Sequence, residues 1–323
     1  MTTITTIIPT YRRPDDLARC LAALKQQQRP ADEVIVIVRD TDTDTWQRLE
    51  TLDVAPLPLR ILTVTVAGVV AAMNLGLSAA QGDLIAFTDD DAAPHPDWLQ
   101  RIEAHFLAND RVGGVGGRDR MHYGDTLVEG EQSVVGHLQW CGRVVGNHHL
   151  GIGTAREVDI LKGVNMSFRK EAIASLRFDP RMRGTGAQVH FEIAFSLALK
   201  HAGWTLIYDP QLVVDHYLAQ RFDEDQRERF NAIAFTNAVH NETLALLEHL
   251  RGFQRLIFLA WATLVGTRKA FGLVQWLRFA PRERGLAWQK WVASLAGRWQ
   301  GWQTWQQSGR DRVPYAQKLH QTL

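Results

Sequence analysis

The run Val34-Ile35-Val36-Ile37-Val38 contains no polar residue in five consecutive positions. A strand with one wet face alternates polar with apolar. One that is apolar at every position is covered on both faces, as a parallel strand between helices is. Strand and helix signals alternate around this run. Ile4-Thr5-Thr6-Ile7-Ile8 is β-branched and is expected to stop at Pro9. Leu17, Cys20, Leu21 and Leu24 then recur at helical spacing behind Asp15 and Asp16, the expected caps. Arg60-Ile61-Leu62-Thr63-Val64 reads as a third strand, a helix is expected around 70–80, and Leu84-Ile85-Ala86-Phe87 reads as a fourth strand. The β-α-β-α-β order implies right-handed crossovers and a mostly parallel sheet. With 323 residues, 46% apolar and 22% charged, the chain is one large or two ordinary globular domains, not a disordered or coiled-coil chain.

Open parallel sheets bind ligands beyond the carboxyl ends of their strands. Pro9-Thr10-Tyr11-Arg12-Arg13 follows the first strand, Arg39-Asp40-Thr41-Asp42 the second, and Thr88-Asp89-Asp90-Asp91 the fourth. Three adjacent carboxylates repel one another, and a hard divalent cation removes that repulsion. The competing reading is a solvated acidic turn, or an N-cap cluster for a helix beginning near Pro96. The first residues, Met1 to Ile8, lack the basic and apolar regions of a signal peptide. Two cysteines, Cys20 and Cys141, are too few for a disulfide scaffold, so a cytoplasmic location is expected.

Several segments, in order from about residue 4 to 217, carry a resemblance. They are Ile8-Pro9-Thr10-Tyr11-Arg12-Arg13-Pro14, Ala67-Gly68, Asn74-Leu75-Gly76-Leu77, Gly82-Asp83, Phe87-Thr88-Asp89-Asp90-Asp91, Leu161 to Arg169, Phe178-Asp179-Pro180, and Gly203-Trp204 with Tyr208-Asp209-Pro210. Together they resemble family 2 glycosyltransferases. That likeness implies an α/β chain of the GT-A fold, with a Rossmann-like, mostly parallel sheet flanked by helices. It also implies an inverting transfer of a sugar from a nucleoside diphosphate, with a lean to UDP, onto a glycan or lipid-linked acceptor in polysaccharide or glycoconjugate biosynthesis. Two competitors share the sheet: a silent sugar-nucleotide-binding module and a nucleotidyltransferase. The latter would want a Gly-rich basic loop where this chain has Pro9-Thr10-Tyr11.

The resemblance also implies roles. Pro9, Thr10, Tyr11, Arg13, Gly68, Asn74, Asp89 and Asp90 fall on the nucleotide, with Asp89 facing the ribose. Asp40 accepts a hydrogen bond from the base, and Asp42 competes for that role. Asp91 binds Mn²⁺ or Mg²⁺ bridging the diphosphate. His216 completes the metal shell, an imidazole suiting Mn²⁺ better. Gly163 and Asn165 fall at the sugars. Glu192, the only acidic residue where the family carries a pair, is the candidate general base; a helix-N-terminal Glu favoured by the macrodipole is the alternative. His190 contacts acceptor or phosphate, or is structural, and Arg221 contacts the diphosphate. The expected division is a GT-A domain over 1–220, a lid and connecting helix over 221–250, and a helical amphipathic extension over 251–323.

That extension differs from the rest in charge. The whole chain has 36 Lys/Arg and 35 Asp/Glu, but residues 251–323 have 12 and 2, a net of +10, and hold seven of the 11 tryptophans. The uncharged stretch Leu256 to Gly266 is only eleven residues long, against the ~20 a membrane span needs. Trp288, Trp291, Val292, Leu295, Trp299 and Trp302 recur at three- and four-residue steps, with Lys290 and Arg298 elsewhere. This pattern predicts a helix lying at the inner face of a membrane, aromatic rings at headgroup depth and cations near anionic lipid. A face packed on the catalytic domain or on a second subunit is the alternative. Nothing here matches a nucleic-acid-binding fold.

Overall fold

The structure, a computed structural model, describes residues 2–226 and 229–310. The chain divides into two compact units. The first runs to His137 and adds Val145–Ala174 and Ser196–Gln220; the second holds Leu138–Val144, Ser175–Phe195 and the chain from Arg221. Residues 138–144 and 175–195 thus fall with the C-terminal helices rather than in a continuous 1–220 domain.

The first unit is built on one ten-stranded sheet. Its strands are β1 (Ile4–Thr10), β2 (Glu33–Arg39), β3 (Leu59–Val64), β4 (Leu84–Thr88), β5 (Ala92–Pro94), β6 (Val112–Tyr123) and β7 (Thr126–Leu127). A two-stranded pair, β8 (His137–Leu138) and β9 (Val144–Val145), lies apart, and β10 (Arg156–Val158), β11 (Asn165–Arg169) and β12 (Thr205–Tyr217) complete the main sheet. The order is β10-β12-β6-β11-β4-β1-β2-β3, with β5 on β12 and β7 on β6. β3, β2, β1 and β4 are mutually parallel, and β11 runs antiparallel between β4 and β6. Helices α1 (Pro14–Lys25), α2 (Thr43–Thr51), α3 (Val69–Ala79), α4 (Trp98–Ala108) and α5 (Phe191–His201) intervene.

The apolar run of β2 is buried throughout, as two covered faces require. Leu17, Cys20, Leu21 and Leu24 of α1, with Trp98, Leu99, Ile102 and Phe106 of α4, bury one face of the sheet against Ile4, Ile8, Val34, Val36 and Val38. On the other face α3 comes so near that a Cβ on Gly76 would lie 2.7 Å from Ile7. Two local expectations change. β1 runs through Pro9 to Thr10, in register with Ile37 and Val38. Its pairing with β4 ends at Ile7, so Pro9 sits where β1 has one neighbour, and the missing N–H is tolerated there. Asp15 and Asp16 do not cap α1; they occupy its first turn behind Pro14, where they complement the helix dipole.

The second unit contains α6 (Ala232–His249), α7 (Phe253–Leu264), the hairpin β13 (Gly266–Thr267) and β14 (Ala270–Phe271), α8 (Leu273–Glu283) and α9 (Gly285–Arg310). Within the expected lid and connecting helix, α6 buries Val239, His240, Asn241 and Thr243 through Leu247, while residues 221–226 and 229–238 keep part or all of their exposure. The backbone of α9 approaches α6 closely, since a Cβ on Gly297 would lie 2.6 Å from the Thr236 carbonyl and one on Gly301 would lie 2.8 Å from that of His240. Arg298, expected among the cations near anionic lipid, is buried on this seam; it pairs with Glu242 at 2.7 Å and donates to Thr243 Oγ1 at 2.9 Å. Trp276, Trp288 and Trp291 form a ring cluster between α8 and α9, while Trp288, Val292 and Trp299 keep exposed surface. Among the described residues, no helix is long and apolar enough to cross a membrane.

Candidate active site

β4 ends at Thr88, and the carboxylates that follow lie beside the ends of β1 and β12. Neither competing reading survives the geometry. Asp90 and Asp91 are 2% and 1% exposed, so this is not a solvated turn; α4 has Asp97 at its N-cap position, so it is not a cap cluster either. Arg13 Nη1 donates to Asp90 Oδ1 at 2.8 Å and lies 3.4 Å from Asp91 Oδ2, while its Nε donates to the Gln220 carbonyl at 3.0 Å. The backbone N–H of Ala219 donates to Asp91 Oδ2 at 3.1 Å. From β12, His216 brings Nε2 to 3.3 Å from Asp91 Oδ1 and Nδ1 to 3.6 Å from Asp119 Oδ2.

One ligand atom each from Asp89, Asp91 and His216 lies within 4.8 Å of the other two. His216 is 5% exposed, yet neither ring nitrogen completes a hydrogen bond; the contacts to Asp91 and Asp119 are long ion contacts. Two carboxylates and an imidazole with uncommitted nitrogens fit a divalent cation, and the nitrogen favours Mn²⁺ over Mg²⁺.

The adjacent acids Asp90 and Asp91 are electrostatically unlike. Burial lifts Asp90 to about 7, with Arg13 pulling the other way. For Asp91 burial also pushes upward, but His216, Arg13 and the Ala219 N–H outweigh it and hold the carboxyl well below the usual range. Burial would lower His216, and its two flanking carboxylates, Asp119 and Asp91, instead raise it to about 9.

The loops after β1 and β2 are locked to each other. Asp42, buried, caps α2 by accepting from Thr45 N at 3.2 Å and also accepts from Arg12 N at 2.6 Å. Both its oxygens are therefore engaged by backbone. Asp40 is more open, its side chain 39% exposed and accepting from Arg39 Nε at 3.0 Å. Pro9 and Thr10 end β1, and Tyr11 follows with its ring 5.2 Å from the Arg12 guanidinium. Gly68, at φ 104°, starts α3, and Asn74 lies partly exposed along that helix.

Asn165 is a correction. It is fully buried, accepts from Trp98 Nε1 at 2.9 Å and donates to the Leu212 carbonyl at 2.9 Å. Its amide ties α4, β11 and β12 together and is not open to a sugar. Gly163 lies in the turn before it, closed by Asn165 N donating to the Lys162 carbonyl at 3.0 Å. Glu192 occupies the first turn of α5 and is partly exposed. His190, at φ 76°, precedes that helix, and its carbonyl accepts from Ile193 N at 3.2 Å. Arg221 is paired with Asp225. These last three residues belong to the second unit.

Sequence reasoning missed Asp119 and Lys162, which pair beside His216. Lys162 stands next to the recognised Gly163-Val164-Asn165 segment, whereas Asp119 carries no motif. Only the glycine-rich approach Gly113-Gly114-Val115-Gly116-Gly117 hints that β6 is crowded there.

A mostly parallel sheet with a D-x-D carboxylate pair and an imidazole gathered at its strand ends defines the GT-A class of fold. Residues 5–175 match the family model of Glycosyl transferase family 2, and the chain belongs to that family. It is 26% identical over 208 residues to glycosyltransferase AglE of Haloferax volcanii, covering 61% of this chain and 64% of that protein. It is 28% identical over 214 residues to the succinoglycan biosynthesis protein ExoM of Rhizobium meliloti, covering 62% of each. The chain thus spans less than two thirds of the length of these relatives. Among solved structures, TarS 1-349 of S. aureus in complex with UDP-GlcNAc superposes with a TM-score of 0.60 at 15% identity, covering 93% of this chain and 81% of that one. The mannosyltransferase PcManGT of Pyrobaculum calidifontis, in complex with GDP-Man and Mn²⁺, gives 0.58 at 17% identity, covering 92% and 86%. At those identities the superpositions speak for the fold alone.

Proposed function

We propose that this chain is a divalent-metal-dependent, inverting glycosyltransferase that takes its sugar from a nucleoside diphosphate donor. The observation that carries the reading is the convergence of Asp89, Asp91 and His216 at the end of β4, two of them buried and the imidazole without a completed hydrogen bond. A cation held there would neutralise the departing diphosphate as a Lewis acid. Asp40 and the Pro9–Tyr11 loop would receive the nucleobase. Arg13, tied to Asp90 and to the Gln220 carbonyl, keeps that loop against the acidic cluster. Glu192 would take the proton of the acceptor hydroxyl as its oxygen bonds to the anomeric carbon and the bond from that carbon to the diphosphate oxygen breaks. A single base opposite a metal-held leaving group would make the displacement one in-line step that inverts the configuration, with no enzymic nucleophile required. Positioning and charge neutralisation would supply most of the rate.

Family membership and the TarS and PcManGT complexes support a nucleotide-sugar donor; ExoM, a succinoglycan biosynthesis protein, supports a glycan acceptor. The test is titration of UDP and GDP with and without Mn²⁺, followed by donor turnover. Metal-dependent binding, with turnover in wild type and not in Glu192→Gln, is expected. Metal-dependent binding with no turnover on any donor would favour the silent binding module.

The second unit supports contact with the inner face of a membrane. Phe253, Leu256, Val274, Leu277 and Trp288 are exposed, and so are Arg268, Lys269, Arg278, Arg282 and Arg284. Apolar side chains for the interface and cations for anionic headgroups are the two components of peripheral binding. Flotation with vesicles containing anionic lipid, and its loss with zwitterionic vesicles, is the expected result; no flotation with either would remove the membrane from the proposal.

A further inference from the structure

His216 has two ring nitrogens facing two different carboxylates, and only one of those carboxylates belongs to the D-x-D pair. The other, Asp119, is fully buried on β6. Its Oδ2 takes the Lys162 ammonium and lies 3.6 Å from His216 Nδ1, while its Oδ1 has no hydrogen-bond partner. A buried carboxylate missing part of its hydrogen bonding is costly, so its placement calls for a reason. The backbone imposes that placement. The β6–β12 register shifts between Asp209 and Val213, and a Cβ on Gly117 would lie 1.8 Å from the Leu212 carbonyl. Only glycine permits this approach, which sets Asp119 opposite Val214, two residues before His216.

An imidazole can offer a lone pair to a cation on one nitrogen while keeping its proton on the other, and the partner of the second nitrogen chooses the tautomer. Resting on the metal reading above, we propose that Asp119, held in place by Lys162, is a positioning residue for His216. It fixes the proton on Nδ1 and leaves Nε2 directed toward Asp91. Lys162 and Asp119 then form an outer ion pair whose charges cancel, so the cation meets the two inner carboxylates without a third buried negative charge.

The test measures Mn²⁺ affinity of the full chain with saturating UDP, by the electron paramagnetic resonance signal of free Mn²⁺. Asp119→Asn keeps the shape and is expected to weaken Mn²⁺ by about 10–100-fold, as loss of a partner to a ligating histidine does. In a His216→Ala background the same substitution should change affinity less than twofold, because a positioning residue has nothing left to position. Histidine ring ¹⁵N spectra with diamagnetic Mg²⁺ should show the Nδ1-protonated form in wild type and a tautomer mixture in Asp119→Asn. Should Asp119→Asn fail to fold, Lys162→Met is to show the same background-dependent loss. Equal losses in both backgrounds, or no loss with ordinary wild-type binding, would overturn this inference alone. A wild-type chain that binds UDP but no Mn²⁺ would overturn the metal reading and this inference with it.

Discussion

The two units handle buried charge in opposite ways. In the second, Arg298 meets Glu242 on the α6–α9 seam, and Arg181 meets Asp179 and Glu248, at 2.6–2.8 Å. Each guanidinium there has its carboxylate, and the result is a helix seam. In the first, Asp89, Asp90, Asp91 and Asp119 gather around Arg13, Lys162 and His216. Long contacts at 3.3–3.6 Å remain there. Matched charge holds helices together. A gathered excess of negative charge at a strand end is what the proposed cation would offset.

That contrast breaks most visibly at Asp91. Asp91→Asn should cut transferase turnover by about 10³-fold or more, as removal of a preorganised charge at a reacting centre does. Arg221→Ala, by comparison, should cost far less, since Arg221 pairs with Asp225. Steady-state kinetics on both variants provide the check, and similar losses would erase the distinction.

The matched pair should fail in stability. Arg298→Met leaves Glu242 buried and uncompensated, which costs about 3–5 kcal/mol. Adding Glu242→Leu should recover most of that. Urea denaturation of the single and double variants measures it, and an additive double variant would show that the pair is not coupled.

A third prediction concerns His148 in the first unit, which burial lowers to about 4. The folded chain holds it neutral while the unfolded chain protonates near 6.5, so the unfolded state binds more protons between these values. Stability is therefore fully present above pH 6.5 and is lost as pH falls toward 4, by about 3 kcal/mol from this group. His148→Gln should flatten that share of the slope in urea titrations between pH 4.5 and 7.5.

The smallest effect is expected on the helix seam: Gly297→Ala puts a methyl against the Thr236 carbonyl and should cost about 1–3 kcal/mol. UDP binding should be unchanged, because Gly297 lies outside the acidic cluster.

How much of this was legible depended on the range of the interaction. β2 declared itself because its burial is written in five consecutive residues, and the Asp89–Asp91 cluster because it follows directly on β4. Asp119 did not, since its meaning comes from β12, nearly a hundred residues later in the chain, and from a glycine that lets the two strands close. Arg298 misled because a helical stripe shows where the tryptophans lie without saying which other face is covered. Asn165 was visible as part of a motif, but that its amide ties Trp98 to the Leu212 carbonyl is a packing fact no local pattern records.

The measurement that goes most directly to the gathered carboxylates is calorimetric titration of UDP into the full chain with Mn²⁺, repeated with chelator and with Asp91→Asn. The account predicts binding that is strong with Mn²⁺ and at least tenfold weaker in both other cases. Equal affinity in all three would contradict it, because the nucleotide would then be held without the cation that these buried acids are proposed to carry.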